Sequence, residues 1–132
     1  MAIYEPINVG RWPDKITFSP AVRAGNLLFI SGTTAVDENL EVVGKGDIVA
    51  QTRFIFEKFG RLLRQAGASF DNIVETTEYF LTLEDYRRTA DVRREFFKGQ
   101  PYPAATGVLV AGLIRKDALI EIKATAVLGP TA

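Results

Sequence analysis

Hydrophobic and polar positions alternate most strictly near the C-terminal end of the chain. Across residues 119–128, Ile120, Ile122, Ala124, Ala126 and Leu128 interleave with Glu121, Lys123, Thr125 and Val127. A period of two over such a run marks a strand with two different faces. Residues 104–113 are small and apolar, with Val108 and Val110 in alternation. Arg115-Lys116-Asp117 between the two runs suits a turn. The pattern therefore predicts a β-hairpin over residues 101–128. It opens on Tyr102-Pro103-Ala104-Ala105-Thr106-Gly107. There the proline keeps the chain extended, and the small residues leave room for something to approach the backbone.

Upstream, Pro6, Gly10 and Pro13 predict an irregular arm over residues 1–15, packed down by Tyr4 and Trp12. Residues 16–18 are a short strand candidate and 24–26 a turn. LLFIS at 27–31 reads as a buried strand. These make a small hairpin with Ser31-Gly32-Thr33 at its exit. A polar loop follows over residues 34–46, with a short extended piece at 40–43. Asp47 then suits a helix N-cap. Ile48, Thr52, Ile55, Phe59, Leu62 and Ala66 keep helical spacing, and Gly67 is a natural stop. Arg53, Lys58, Arg61 and Arg64 form the face expected to be solvated. A strand is predicted at 74–83 and a second helix at 85–97, ended by Lys98-Gly99-Gln100-Pro101.

The order β-β-α-β-α-β-β gives an α+β fold, one sheet with two helices on one face. Length makes it a single domain over residues 1–132. Both parities of several strands are apolar, as at Phe29 and Ile30 or Val108 and Leu109. The uncovered sheet face is thus expected to meet other copies of the chain.

Composition narrows the chemistry. There is no Cys and no His, which removes thiolate nucleophiles, the usual neutral-pH base and the commonest metal ligands. Neither metal nor cofactor is expected. Catalysis would fall to carboxylates, Arg, Lys, hydroxyls, backbone groups or water. Lys+Arg and Asp+Glu are both 16, so no excess positive charge favours nucleic acid. No apolar run approaches the ~18 residues of a membrane span. MAIYEPINVG lacks the features of a signal peptide. A cytoplasmic protein is expected, without nucleic-acid or membrane partners.

Glu78 lies inside the strand VETTEYFLT, where an unpaired buried carboxylate is costly. Two readings stay open: a general acid/base, or an ion pair with an Arg of the second helix. Glu121 presents the choice between a cleft carboxylate and an exposed strand residue; Lys123 shares its parity. Arg87, Arg88, Arg93 and Arg94 offer guanidiniums, any of which can clamp a carboxylate. Ser31, Gly32, Thr33 and Thr106 offer hydroxyls and backbone N–H groups at strand ends.

LLFISGT at 27–33, AQT at 50–52, VETTEYFLTLEDY at 74–86, REFF at 94–97, YPAATGVLV at 102–110 and LIEIKATAV at 119–127 together resemble the RidA/YjgF family of enamine/imine deaminases. The resemblance runs from about residue 16 to 128. It implies a chorismate-mutase-like fold, a homotrimer, and clefts between subunits that bind small, often carboxylate-bearing molecules without a cofactor. It also implies an Arg in a Pro-Ala-Arg-Ser/Thr motif as carboxylate clamp. Here that motif is Pro103-Ala104-Ala105-Thr106, with Ala105 at the Arg position. A Glu at the end of an Ile-Glu-Ile-Glu motif is matched by Lys123, an Asn of the second helix by Ala90 and an early Tyr by Phe18. Against the family pattern, Glu78 and Arg93 look like additions to a remodelled pocket. The expected function is a deaminase of an enamine, imine or related unsaturated amino-acid intermediate. In it Glu78 or Glu121 relays protons, backbone N–H groups near Thr33 and Thr106 hold oxygen, and Arg93 or Lys123 replaces the missing Arg. The rivals are a non-catalytic metabolite-binding trimer with a regulatory role and, since some relatives are described as ribonucleases and translation inhibitors, a protein acting on RNA.

Overall fold

The computed structural model describes residues 3–99 and 101–129. Six strands form one mixed sheet: β1 (Glu5–Ile7), β2 (Ala21–Ala24), β3 (Leu27–Thr33), β4 (Ile73–Phe80), β5 (Ala104–Leu109) and β6 (Ile120–Val127). Between them lie α1 (Ile48–Gln65), a 3₁₀ turn at Phe70–Asn72, α2 (Leu83–Arg87) and α3 (Ala90–Phe97). The strand order is β1-β2-β3-β6-β4-β5. All neighbours are antiparallel except β4 and β5, which run parallel. The fold is α+β, with the helices packed on one face.

The alternation of residues 119–128 identifies β6 correctly and its partner wrongly. β6 does not form a hairpin with β5. It inserts between β3 and β4, while β5 reaches β4 through the α2–α3 crossover. Period-two patterning reports the two faces of a strand and not its neighbours. Its inner face, Ile120, Ile122, Ala124 and Ala126, is at most 2% exposed, as befits the middle of a sheet.

The N-terminal expectations also shift. Residues 16–18 form no strand. The first hairpin is β2–β3, turned at Ala24-Gly25-Asn26, and β1 within the supposedly irregular arm adds to its edge. Met1 and Ala2 lie outside the described residues. The strand predicted at 74–83 stops at Phe80, and the helix predicted at 85–97 is two pieces. Thr82 caps α2 by accepting from the Asp85 N–H (3.2 Å), and the Thr89 hydroxyl donates to the Tyr86 carbonyl (2.8 Å) where the chain bends into α3. Gln100 of the predicted stop lies outside the described residues.

α1 forms as its pattern requires. The Asp47 carboxylate accepts from the Ala50 N–H (3.1 Å), and Gly67 leaves the helix at φ +75°, a conformation open to glycine at little cost. Its inner stripe places Phe56, wholly buried, against Phe59, Phe70, Phe96 and Phe97 at centroid distances of 5.3–6.1 Å. Burying each such ring contributes about 2 kcal/mol. Among the described residues no helix is long and apolar enough to cross a membrane.

Among the described residues no helix covers the opposite sheet face. Phe29 is 44% exposed, Val74 44% and Val127 37%.

Candidate functional site

β3 loses regular pairing with β6 between Ile30 and Thr33. At this irregularity the Glu121 carboxylate of β6 lies over Gly32: a Cβ built there would stand 2.8 Å from Glu121 Oε2. Only a residue without a side chain admits the carboxylate in this position. Glu121 is half-buried, and that burial pushes its carboxyl pKa up.

The segment before β2 closes one wall. The Ser31 hydroxyl donates to the Ser19 carbonyl (2.6 Å), and the Ser31 N–H to the Pro20 carbonyl (3.0 Å). The Trp12 indole donates to the Phe18 carbonyl (2.8 Å) and meets the Phe18 ring edge-on at 5.7 Å. Phe18, held by Trp12, forms part of the wall of a pocket of about 620 Å³. Phe18, Ser31, Gly32, Thr33 and Glu121, all singled out in the sequence, line this one pocket.

Two further side chains there were not foreseen. Lys58 of α1 donates to Thr33 Oγ1 (2.7 Å), the Val36 carbonyl (3.1 Å) and the Thr34 carbonyl (3.3 Å). It therefore ties the strand exit to the helix. Burial, with Arg61 and Arg115 nearby, pushes its pKa down to about 8, against the pull of Asp37. Its sequence signal was spacing: Lys58 stands three residues after Ile55 and four before Leu62, on the edge of the inward stripe. The second is Arg115, half-buried in the loop before β6, where charge density alone reads as a turn. That loop is pinned by buried Gln51, whose amide donates to the Asp117 carbonyl (3.0 Å) and accepts from the Leu119 N–H (2.8 Å).

The remaining candidates lie elsewhere. Glu78 faces the helices, its side chain 1% exposed, and pairs with Arg93 of α3. Glu78 Oε2 also accepts from the Thr76 hydroxyl (2.8 Å), while Oε1 has no partner within hydrogen-bond distance among the described residues. The Arg93 guanidinium rests 5.1 Å from the Phe97 ring centroid. Burial, reinforced by the Glu78 charge, pushes neighbouring Tyr86 up to about 12. Neither Glu78 nor Arg93 lines the Glu121 pocket. Lys123 is exposed on the open sheet face, in an adjacent hollow shared with Phe18, Ser31 and Gly32. Ala105 and Thr106 are exposed on β5, opposite Thr76 and Thr77 of β4. Among the described residues no group of His, Cys, Asp or Glu is placed to hold a metal ion.

What the pocket offers is the half-buried carboxylates of Glu121 and Asp37, the half-buried cations Lys58 and Arg115, backbone at a strand irregularity and an aromatic wall. That set can bind a small polar molecule and move protons on it.

A family model described as Endoribonuclease L-PSP matches residues 13–128. A RutC family protein of Pyrococcus horikoshii is 38% identical over 109 residues, 83% of this chain and 85% of that protein. The 3-aminoacrylate deaminase RutC of Acinetobacter baylyi is 36% identical over 117 residues, 89% of this chain and 91% of that protein. Among solved structures, a Rid-family protein of unknown function from Yersinia pestis matches with a TM-score of 0.85 at 30% identity, covering 95% of this chain and 99% of that one. RidA of an Antarctic Psychrobacter matches with a TM-score of 0.82 at 28% identity, covering 94% and 99%. With its motifs, its sheet order and these matches in agreement, the chain belongs to the endoribonuclease L-PSP family, the family of RidA and YjgF.

Proposed function

We propose that this protein hydrolyses a small enamine or imine to a carbonyl compound and ammonia, with Glu121 as its proton relay. The observation that carries this reading is the Glu121 carboxylate, half-buried over Gly32 in the pocket with a raised pKa. The deaminase among the relatives supports the reaction class.

In this mechanism the protonated Glu121 delivers its proton to the enamine carbon, giving the iminium ion. The carboxylate then takes a proton from water as the water oxygen bonds to the iminium carbon. Glu121 passes that proton to the nitrogen of the resulting carbinolamine; ammonia leaves as the carbon–oxygen double bond forms, and the carboxylate takes the hydroxyl proton. Water is consumed and Glu121 returns to its starting state. A carboxyl with a raised pKa keeps its proton to higher pH than an ordinary one, which suits a group that must both give and take a proton. In this account backbone N–H groups around Gly32 and Thr33, beside the strand irregularity, donate to the developing oxygen. Glu78, paired with Arg93 under the helices, takes a structural role in this account.

The same reading has the chain working as a homotrimer, closing the open apolar face at Phe29, Val74 and Val127. The test of the activity is ammonia release from enzymatically generated 2-aminoacrylate, native chain against Glu121→Gln. A regulatory binding protein would instead bind the keto acid with no ammonia released.

A further inference from the structure

The site lacks an obvious partner for a carboxylate-bearing substrate. Ala105, at the position where the family resemblance places an Arg, carries no charge. Arg93 is occupied by Glu78. Lys123 lies on the open face in a different hollow. Four cations line the Glu121 pocket itself: Arg11, Lys15, Lys58 and Arg115. Arg11 and Lys15 are exposed on the N-terminal arm. Lys58 is half-buried, but its three ammonium protons go to Thr33, Thr34 and Val36. It adds positive charge and has no N–H left to give.

Arg115 differs from all of these. It is half-buried, and its guanidinium makes no ion pair or side-chain hydrogen bond among the described residues. The backbone around it is tied down by hydrogen bonds. The Ala118 N–H donates to its carbonyl (3.2 Å), Gln51 holds Asp117 and Leu119, and Lys45 pairs with Asp117 at 3.8 Å. Its charge also lies close enough to Lys58 to help depress that ammonium. Of the other pocket acids, Asp37 Oδ1 accepts from the Asn39 and Glu41 N–H groups, and Glu38 is exposed at the rim beside Gly10. Two neighbouring cations with an unengaged guanidinium fork form a receptor for a planar anion.

We propose that Arg115 binds the substrate's carboxylate in the Glu121 pocket, supplying from the loop between β5 and β6 the clamp that Ala105 cannot. This rests on the reading of the pocket as a deaminase site. It adds the requirement that the substrate is an acid, held by its carboxylate with the reacting carbon turned toward Glu121.

The experiment titrates pyruvate, as a small keto-acid probe, and its neutral amide into the native chain, Arg115→Ala, Arg115→Lys and Lys116→Ala, following binding by NMR. Thermal melts verify that each variant is folded. Pyruvate affinity is expected to fall at least tenfold in Arg115→Ala, to recover in part in Arg115→Lys and to stay native in Lys116→Ala. The amide should bind weakly and indifferently to residue 115. The proposal is overturned if the native chain binds pyruvate no better than the amide, or if folded Arg115→Ala binds pyruvate as the native chain does. Turnover separates the two readings. Arg115-dependent pyruvate binding without ammonia release retains the anchor and removes the deaminase. Ammonia release with an unchanged KM in Arg115→Ala retains the deaminase and removes the anchor.

Discussion

Glu121 reaches across the irregularity in β3 to lie where a side chain on Gly32 would be, with Oε2 2.8 Å from the Cβ that residue lacks. An added methyl meets the far end of a flexible side chain, so the fold can give way cheaply while the carboxylate cannot stay. Gly32→Ala is expected to change unfolding free energy by about 1 kcal/mol or less and to lower kcat/KM at least tenfold. Denaturant unfolding beside steady-state kinetics checks this; equal native-like activity would show that the placement of Glu121 does not matter.

The raised pKa of Glu121 sets a pH dependence. The cycle begins with protonated Glu121 giving its proton to the enamine carbon, so activity should fall as pH rises through a value above the ordinary 4.5 of a carboxyl. Stability runs the same way: the folded chain holds this proton more tightly than the unfolded chain. The contribution is present below 4.5 and is lost as pH rises through the raised value. In Glu121→Gln the activity limb should vanish. Its persistence in a pH–rate profile would assign it to another group.

Lys58 runs the other way. Its pKa falls from 10.5 to about 8 on folding. Between those values the unfolded chain carries the proton and the folded chain does not, so stability from this group rises with pH across that window. Lys58→Met, losing three hydrogen bonds, should cost about 1–3 kcal/mol near neutral pH. The difference in melting temperature between native chain and variant should widen from pH 8 toward pH 10. A difference flat in pH would show that Lys58 titrates normally.

Much of this molecule was legible in the sequence, and the misreadings share causes. Alternation gave β6 its two faces, and Asp47 and Gly67 marked α1, because these signals are local. Which strand lies beside β6 depends on a chain reversal tens of residues away, so the pairing with β3 and β4 was hidden. Phe18, Ser31, Gly32, Thr33 and Glu121 could be named from motifs and unusual residue types. Spacing between Ile55 and Leu62 sets Lys58 at the edge of the inward stripe, but its bonds to Thr33, Thr34 and Val36 depend on a loop whose place the sequence does not show, and Arg115 could not be told from an ordinary turn residue.

The Glu78–Arg93 pair is expected to matter for folding. Removing one partner of a buried pair strands the other, so Arg93→Met should destabilise by about 3 kcal/mol or more. Glu78→Leu combined with Arg93→Met should recover much of that loss. Unfolding free energies for both singles and the double settle the coupling. Full stability in either single would leave the pair without a structural role.

The open sheet face carries a separate expectation. In solution, light scattering should give a mass near three times the 14.6 kDa chain, and Phe29→Glu should shift it toward one. A native monomer would leave Phe29, Val74 and Val127 without the cover assigned to them.

The most direct test of the account is the rate of ammonia release from 2-aminoacrylate generated in place, for the native chain and for folded Glu121→Gln at matched concentration. The account predicts release well above the uncatalysed rate for the native chain and a fall of at least a hundredfold in Glu121→Gln, typical of losing a general acid–base group. Native release equal to the uncatalysed rate, or equal in both proteins, would contradict it.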